Sequence, residues 1–297
     1  MVDEFFAVPC SDVVAELGDC VVWDHAREEL LWVDIHVGRF HRGRLDGAKV
    51  TPVGSIDLGC SLGSVAPAID GGWIVAAGMG FARLDCSGGL TWLSRPIRGK
   101  SSLRMHDGAC DPAGRFWAGS CSDAGTPRAG TLYRIDADGT TTSVLRGTMV
   151  CRGLGWSLDG NTLFLADSAM ATVDAFDFEP RSGTLSGRRT IIAAGPGEGV
   201  PGGLAVDGDG NIWVAFWDGG EVRCYSPSGL LLSRVRLPVS RPTNCTFGGD
   251  GLSTLFISSA RFGLSADDLN SQPLSGRLFS VVPGVRGMAQ PFFGGST

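Results

Sequence analysis

Hydrophobic and polar positions alternate in short runs along this chain, and a turn rich in Asp and Gly recurs before an apolar run. The pattern appears as Asp70-Gly71-Gly72 before Trp73-Ile74-Val75-Ala76 and as Asp111-Pro112-Ala113-Gly114 before Arg115-Phe116-Trp117-Ala118-Gly119. It returns as Asp159-Gly160-Asn161 before Thr162-Leu163-Phe164-Leu165, and as Asp207-Gly208-Asp209-Gly210 before Asn211-Ile212-Trp213-Val214. Gly249-Asp250-Gly251 leads toward Thr254-Leu255-Phe256-Ile257, and Asp24 to Glu29 precedes Leu30-Leu31-Trp32-Val33. Gly and Asp supply hairpin turn geometry and the β-rich runs supply strands. Repeats starting near 19, 61, 105, 152, 202 and 243 lie 41 to 50 residues apart. Six such units of about four short strands predict an all-β, six-bladed β-propeller. A blade cannot bury its faces alone, so residues 1–297 are read as a single domain. A strand near Phe5-Phe6-Ala7-Val8 is expected to close the ring by joining the last blade. Helical turns are expected only at 11–17 and 265–269.

Composition narrows the function classes. Gly is 45 of 297 residues, which suits a turn-dense β protein. Twenty-five basic residues stand against 31 acidic ones, a net charge of −6, so no broad nucleic-acid surface is expected. No apolar stretch approaches the ~18 residues of a membrane span, and the acidic opening Met-Val-Asp-Glu-Phe-Phe does not read as a leader. The nine cysteines are odd in number and form no C-x-x-C pair. Free thiols and a cytoplasmic location are the expectation. P-loop and H-E-x-x-H motifs are missing.

Several segments carry a resemblance. They include Leu17-Gly18-Asp19-Cys20-Val21-Val22-Trp23, Arg104-Met105-His106-Asp107-Gly108 and Gly153-Leu154-Gly155-Trp156. Pro201-Gly202-Gly203-Leu204 and Pro242-Thr243-Asn244-Cys245 are others, and together they span nearly the whole chain. In them the chain resembles the gluconolactonase, regucalcin (senescence marker protein) and luciferin-regenerating-enzyme family. The resemblance implies a six-bladed propeller with one divalent cation, calcium or zinc, on its axis. Its ligands would be a Glu, an Asn and an Asp, with an Arg and an Asn near the substrate. This chain departs from that set. Asp19 stands at the Glu position, Arg152 at the Asn position and Gly202 at the Asp position. Arg104 is kept, and His106 replaces the second Asn. Asp19 is the one metal-ligand candidate left, and a cation beside Arg152 would be repelled by roughly 4 kcal/mol at 4 Å.

Arg152 is accordingly a candidate for the fixed positive charge, with Asp19 as its counter-ion and His106 as general acid or base. Arg104, Asn244 and Cys151 are candidates for holding substrate, and Arg152 could depress the Cys151 thiol. Asp34, Asp167 and the turn aspartates read as structural. Three functions follow: a lactonase-like hydrolase of a small cyclic ester, a metal-independent enzyme of isomerisation, cyclisation or condensation, and a non-catalytic binder of a small acidic ligand. The partner in each is a small molecule, and Arg152 with Arg104 makes an anionic one attractive.

Overall fold

Six sheets, antiparallel except for one added N-terminal strand, surround a common axis in a computed structural model that describes residues 2–100 and 102–295. Their innermost strands are Gly18–Asp24, Leu62–Pro67, Leu103–Cys110, Cys151–Trp156, Val200–Val206 and Pro242–Gly248, which define blades one to six in chain order. The architecture is the six-bladed β-propeller that the repeat spacing predicts. No helix among the described residues is long and apolar enough to cross a membrane.

The repeated apolar run is the second strand of each blade. Its central aromatic (Trp32, Trp73, Trp117, Phe164, Trp213 or Phe256) is at most 2% exposed. These rings lock neighbouring blades together. Phe40 of blade one meets Trp73 of blade two at 4.9 Å, Trp117 meets Trp156 of blade four at 6.1 Å, and Trp213 meets Phe247 of blade six at 5.7 Å. All three pairs are edge-to-face, which the ring quadrupole favours.

The N-terminus closes the ring differently from expectation. Asp3–Phe6 runs parallel to Leu231–Arg236 as a fifth strand of blade five, and only Val8–Pro9 joins Phe279–Val281 in blade six. The switch falls at Ala7, which is buried and donates to the Arg236 carbonyl. Pro9, without an N–H, sits on the outer edge, where no ladder donor is needed. Residues 11–17 form no helix, because their backbone donors go elsewhere. Ala15 N–H donates to the Gly276 carbonyl, and Glu16 and Leu17 donate to the Asp34 carboxylate. The second helical expectation holds, as Ala266–Ser271 is helical behind a Ser265–Asp268 capping box.

Candidate functional site

All six innermost strands break register at the same level. The shifts lie between Asp19 and Val22, Leu62 and Ser64, Met105 and Gly108, Cys151 and Leu154, Pro201 and Leu204, and Pro242 and Asn244. A bulge re-aims side chains and leaves a backbone N–H out of the ladder. Here neighbouring side chains take up those donors. Asp19 Oδ1 accepts from Cys20 N–H, His106 Nδ1 from Asp107 N–H, and Asp107 Oδ1 from Gly108 N–H, each at 2.8 Å. Cys20 Sγ accepts from Val65 N–H at 3.3 Å, and Cys20 itself holds φ 45°.

The bulges turn polar side chains onto the axis, where opposite blades meet. From blades one and four, Asp19 Oδ2 and Arg152 Nη2 approach to 3.7 Å. From blades three and six, Asn244 Nδ2 donates to Asp107 Oδ2 at 2.9 Å. Blade five contributes Gly202 and Gly203 at this level. A Cβ on Gly203 would fall 2.2 Å from Asn244 Cγ, so the bare backbone there makes room for the bridge.

The two bridges are satisfied unequally. Asp107 has both oxygens bonded. Burial, and secondly the Asp19 charge beside it, pushes its carboxyl well above the usual carboxylate range, toward the neutral acid. Asp19 Oδ2 and Arg152 Nε, by contrast, are buried with no hydrogen-bond partner among the described residues, and 3.7 Å is beyond hydrogen-bond reach. Instead the Arg152 guanidinium lies 4.9 Å over the Trp217 ring, whose other neighbour is the Arg241 guanidinium, also at 4.9 Å. Asp218 at 2.6 Å holds Arg241 in place.

His106 is 1% exposed. Burial, then the Arg104 and Arg152 charges, pushes its imidazole well below the ordinary value, so it is neutral near pH 7. Because Nδ1 accepts a backbone N–H, the ring proton is on Nε2. The group that His106 can offer is therefore a donor, not a base. Arg104 turns toward the rim, where it bonds Asp123 at 2.7 Å and the Met105 carbonyl at 3.3 Å.

Cys151 lies away from this cluster. Successive residues of a strand face opposite sides, so Arg152 faces the axis and Cys151 enters the core between blades three and four, with Trp117 and Leu132. Burial pushes its thiol up to about 12, which corrects the expectation that Arg152 would depress it. Cys20 and Cys121 are likewise buried with raised thiols. A thiol-disulfide reagent at mildly alkaline pH should therefore modify exposed Cys86 in the native protein and spare Cys151 until denaturant is added. Rapid native-state modification at Cys151, located by peptide mass mapping, would contradict this placement.

Two members of the cluster escape sequence reasoning as site residues, and a third, Asp107, is singled out with Arg104 and His106 but given no role. Trp217 ends the apolar run from Ile212 and reads as core. Arg241 lies in no repeat motif, and only its shared contact with Trp217 connects it to Arg152.

Residues 17–261 match the family model described as SMP-30/Gluconolactonase/LRE-like region. The chain is 35% identical to regucalcin of Danio rerio over 283 residues, covering 92% of this chain and 93% of that protein. It is 37% identical to the 6-deoxy-6-sulfogluconolactonase of Pseudomonas putida, covering 94% of this chain and 95% of that one. Among solved structures, a luciferin-regenerating enzyme superposes with a TM-score of 0.87 at 26% identity, over 94% of this chain and 96% of that one. Regucalcin from Agrobacterium tumefaciens, a calcium-binding protein, superposes with a TM-score of 0.92 at 24% identity over 99% of both, a likeness of fold. By sequence and by architecture, the chain belongs to the SMP-30/gluconolactonase/LRE-like family.

Proposed function

We propose that this protein is a lactonase-like hydrolase of a small cyclic ester that carries an anionic group, and that the Arg152 guanidinium serves where relatives would place a cation. The observation that carries this reading is the pair of facing, buried and unsatisfied groups, Asp19 Oδ2 and Arg152 Nε. Buried polar atoms without partners are rare and costly, and a ligand that supplies the missing bonds relieves that cost. The name of the Pseudomonas putida relative, a lactonase of a sulfonated sugar acid, fits a substrate with a fixed negative charge.

A divalent cation does not fit these residues. Of the three positions that the family resemblance marks, only Asp19 offers an oxygen. A side chain at Gly202 would begin 2.6 Å from the Thr243 carbonyl, and Arg152 brings a full positive charge into the same space. Among the described residues, no three His, Cys, Asp or Glu side chains converge as a metal site. The chain's own groups are left to carry the chemistry.

Asp19 is the carboxylate placed to take a proton from water as that water attacks the lactone carbonyl carbon. The oxyanion that forms meets the Arg152 guanidinium and the His106 Nε2–H. As the ring C–O bond breaks, the proton held by Asp19 passes to the leaving ring oxygen, so lactone and water give the open hydroxy acid. Asp19 and His106 are each about 1% exposed, so substrate must first draw Arg152 aside. A long contact to Asp19 and a ring stack on Trp217 are a weak tether, and an anionic ligand competes with both.

The deciding assay compares a gluconolactone with a C6 sulfonate, its C6 phosphate counterpart and neutral glucono-1,5-lactone, with and without EDTA. The expected result is a preference of about tenfold or more in kcat/KM for an anionic lactone, worth about 1.4 kcal/mol, unchanged by chelator. Preference for the neutral lactone, or activity lost to EDTA and restored by metal, would overturn the reading. The burial of Asp19 and His106 favours a second reading, a binder of acidic ligands, which saturable binding without turnover would select.

A further inference from the structure

The central channel does not end at the Asn244–Asp107 bridge. Beyond it, toward the opposite mouth of the propeller, lies a chamber of about 360 Å³. Its walls come from residues that follow the site residues on the same innermost strands. Val22 follows Asp19, Gly108 follows Asp107, Leu154 follows Arg152, Leu204 follows Gly202 and Phe247 follows Asn244. On blades one, three, four and six the polar end of the inner strand thus serves one face of the ring, and the apolar end serves the other.

The C-terminal segment spans this second mouth. On one side the Arg286 carbonyl accepts from Gly208 N–H at 2.7 Å, and Gly287 N–H donates to Leu252 at 2.8 Å. On the other, Phe293 N–H donates to Pro67 at 2.8 Å and Gly294 N–H to Gly114 at 2.9 Å. Between these ties, residues 288–291 form part of the chamber lining, and Gln290 Nε2 donates to Thr246 Oγ1 at 3.2 Å. Leu158 and Met288, 51% and 36% exposed, mark an apolar rim open to solvent.

We propose that this chamber is a second small-molecule site, distinct from the Asp19–Arg152 site, for a neutral molecule of about two fused rings with one hydroxyl or carbonyl group. The size follows from volume, since an apolar cavity of about 150 Å³ holds one benzene ring and this one is roughly twice as large. The apolar character follows from the Val, Leu and Phe walls, which water cannot satisfy and a hydrocarbon surface can. The single polar function follows from the buried Thr246 hydroxyl and its Gln290 partner. Neutrality follows from two features: the Asp159 carboxylate at the rim repels anions of the kind that Arg152 would attract, and the Val, Leu and Phe walls inside would leave a buried cation desolvated. The chamber's chemistry is independent of the lactonase reading.

The probe is 2-naphthol, titrated into the full-length protein and followed by its fluorescence. Saturable one-to-one binding below about 1 mM is expected, weakened at least tenfold by Leu204→Trp, which fills the chamber, and about threefold by Thr246→Val. Met288→Trp at the exposed rim gives the same test should Leu204→Trp fail to fold, as judged by circular dichroism. Arg152→Met should leave probe affinity unchanged. Absence of saturable binding to the folded protein, or binding lost with Arg152→Met and kept in the chamber variants, would overturn the proposal.

Discussion

Arg152→Met is expected to lower kcat/KM for an anionic lactone by about 10²- to 10³-fold, the range lost when one oxyanion donor is removed from a preorganised site. Methionine keeps much of the length and the contact with Trp217, and removes the charge. The sign of the effect separates two chemistries. If Arg152 supplies the positive charge, its loss lowers turnover and no divalent ion restores it. If a cation performed the reaction, removing a competing guanidinium would raise metal affinity and activity. Stability needs its own control, because removing one partner of a buried pair strands the other. The Asp19→Asn/Arg152→Met double variant should melt closer to the native protein than Arg152→Met alone while remaining inactive. Recovery of turnover in the double variant would refute the assigned role of Asp19.

How far the sequence discloses this site depends on which contacts are periodic. The recurring Asp turn, in five of the six copies with Gly, and the aromatic three to eight residues later mark every blade, so the six innermost strands are legible to within a few residues. In a six-fold ring the first repeat faces the fourth, which is why Asp19 and Arg152 can be paired from sequence alone. Bulges are not legible in this way, because a register shift is a property of two strands. Without them Cys151 and Arg152 look equally able to face the pocket, and only the observed pleat sends Cys151 into the core. Arg104 misleads for a related reason, since its partner Asp123 lies just past the end of the paired strand. Trp217 is hidden because a strand-end tryptophan in an apolar run is indistinguishable from a core tryptophan until the Arg152 and Arg241 guanidinium groups are found against its ring.

The division of the channel follows from the same geometry. Six strands converge on an axis that is too narrow for all their side chains at one level. Two cross-axis bridges, Asp19 with Arg152 and Asp107 with Asn244, occupy that level, and Gly203 leaves space for the second of them. Desolvating four polar side chains together costs stability that apolar residues would not. A fold that needed only to close its axis would fill it with the Val and Leu seen one turn of the pleat further along. Retention of a partly unsatisfied polar layer is the reason to look for chemistry at Asp19 and Arg152 rather than in the apolar chamber.

Asp111→Ala is expected to be the most damaging single change outside the site, at about 3–5 kcal/mol. Asp111 is fully buried and directly follows the innermost strand of blade three. Its Oδ1 accepts from Ala113 and Arg115 N–H at 3.0 Å, which shapes the turn. Its Oδ2 accepts from Arg115 Nε at 2.6 Å and from Trp117 Nε1 at 2.8 Å. Alanine strands the Trp117 indole N–H inside the interface with Trp156, where a buried unsatisfied donor costs about 1–3 kcal/mol. Arg115 suffers less, because the Pro180 and Arg181 carbonyls still accept from its other nitrogens. Asp207 makes the same bond to Trp213 Nε1 at 2.9 Å, so Asp207→Ala should behave alike in blade five. Asp138, an exposed turn aspartate bonded to Thr140 N–H, provides the contrast, and Asp138→Ala should change the melting curve little. Denaturant melts of the three variants decide the matter. Similar midpoints for Asp111→Ala and Asp138→Ala would mean that the repeated aspartate shapes a turn without anchoring the aromatic that locks one blade to the next.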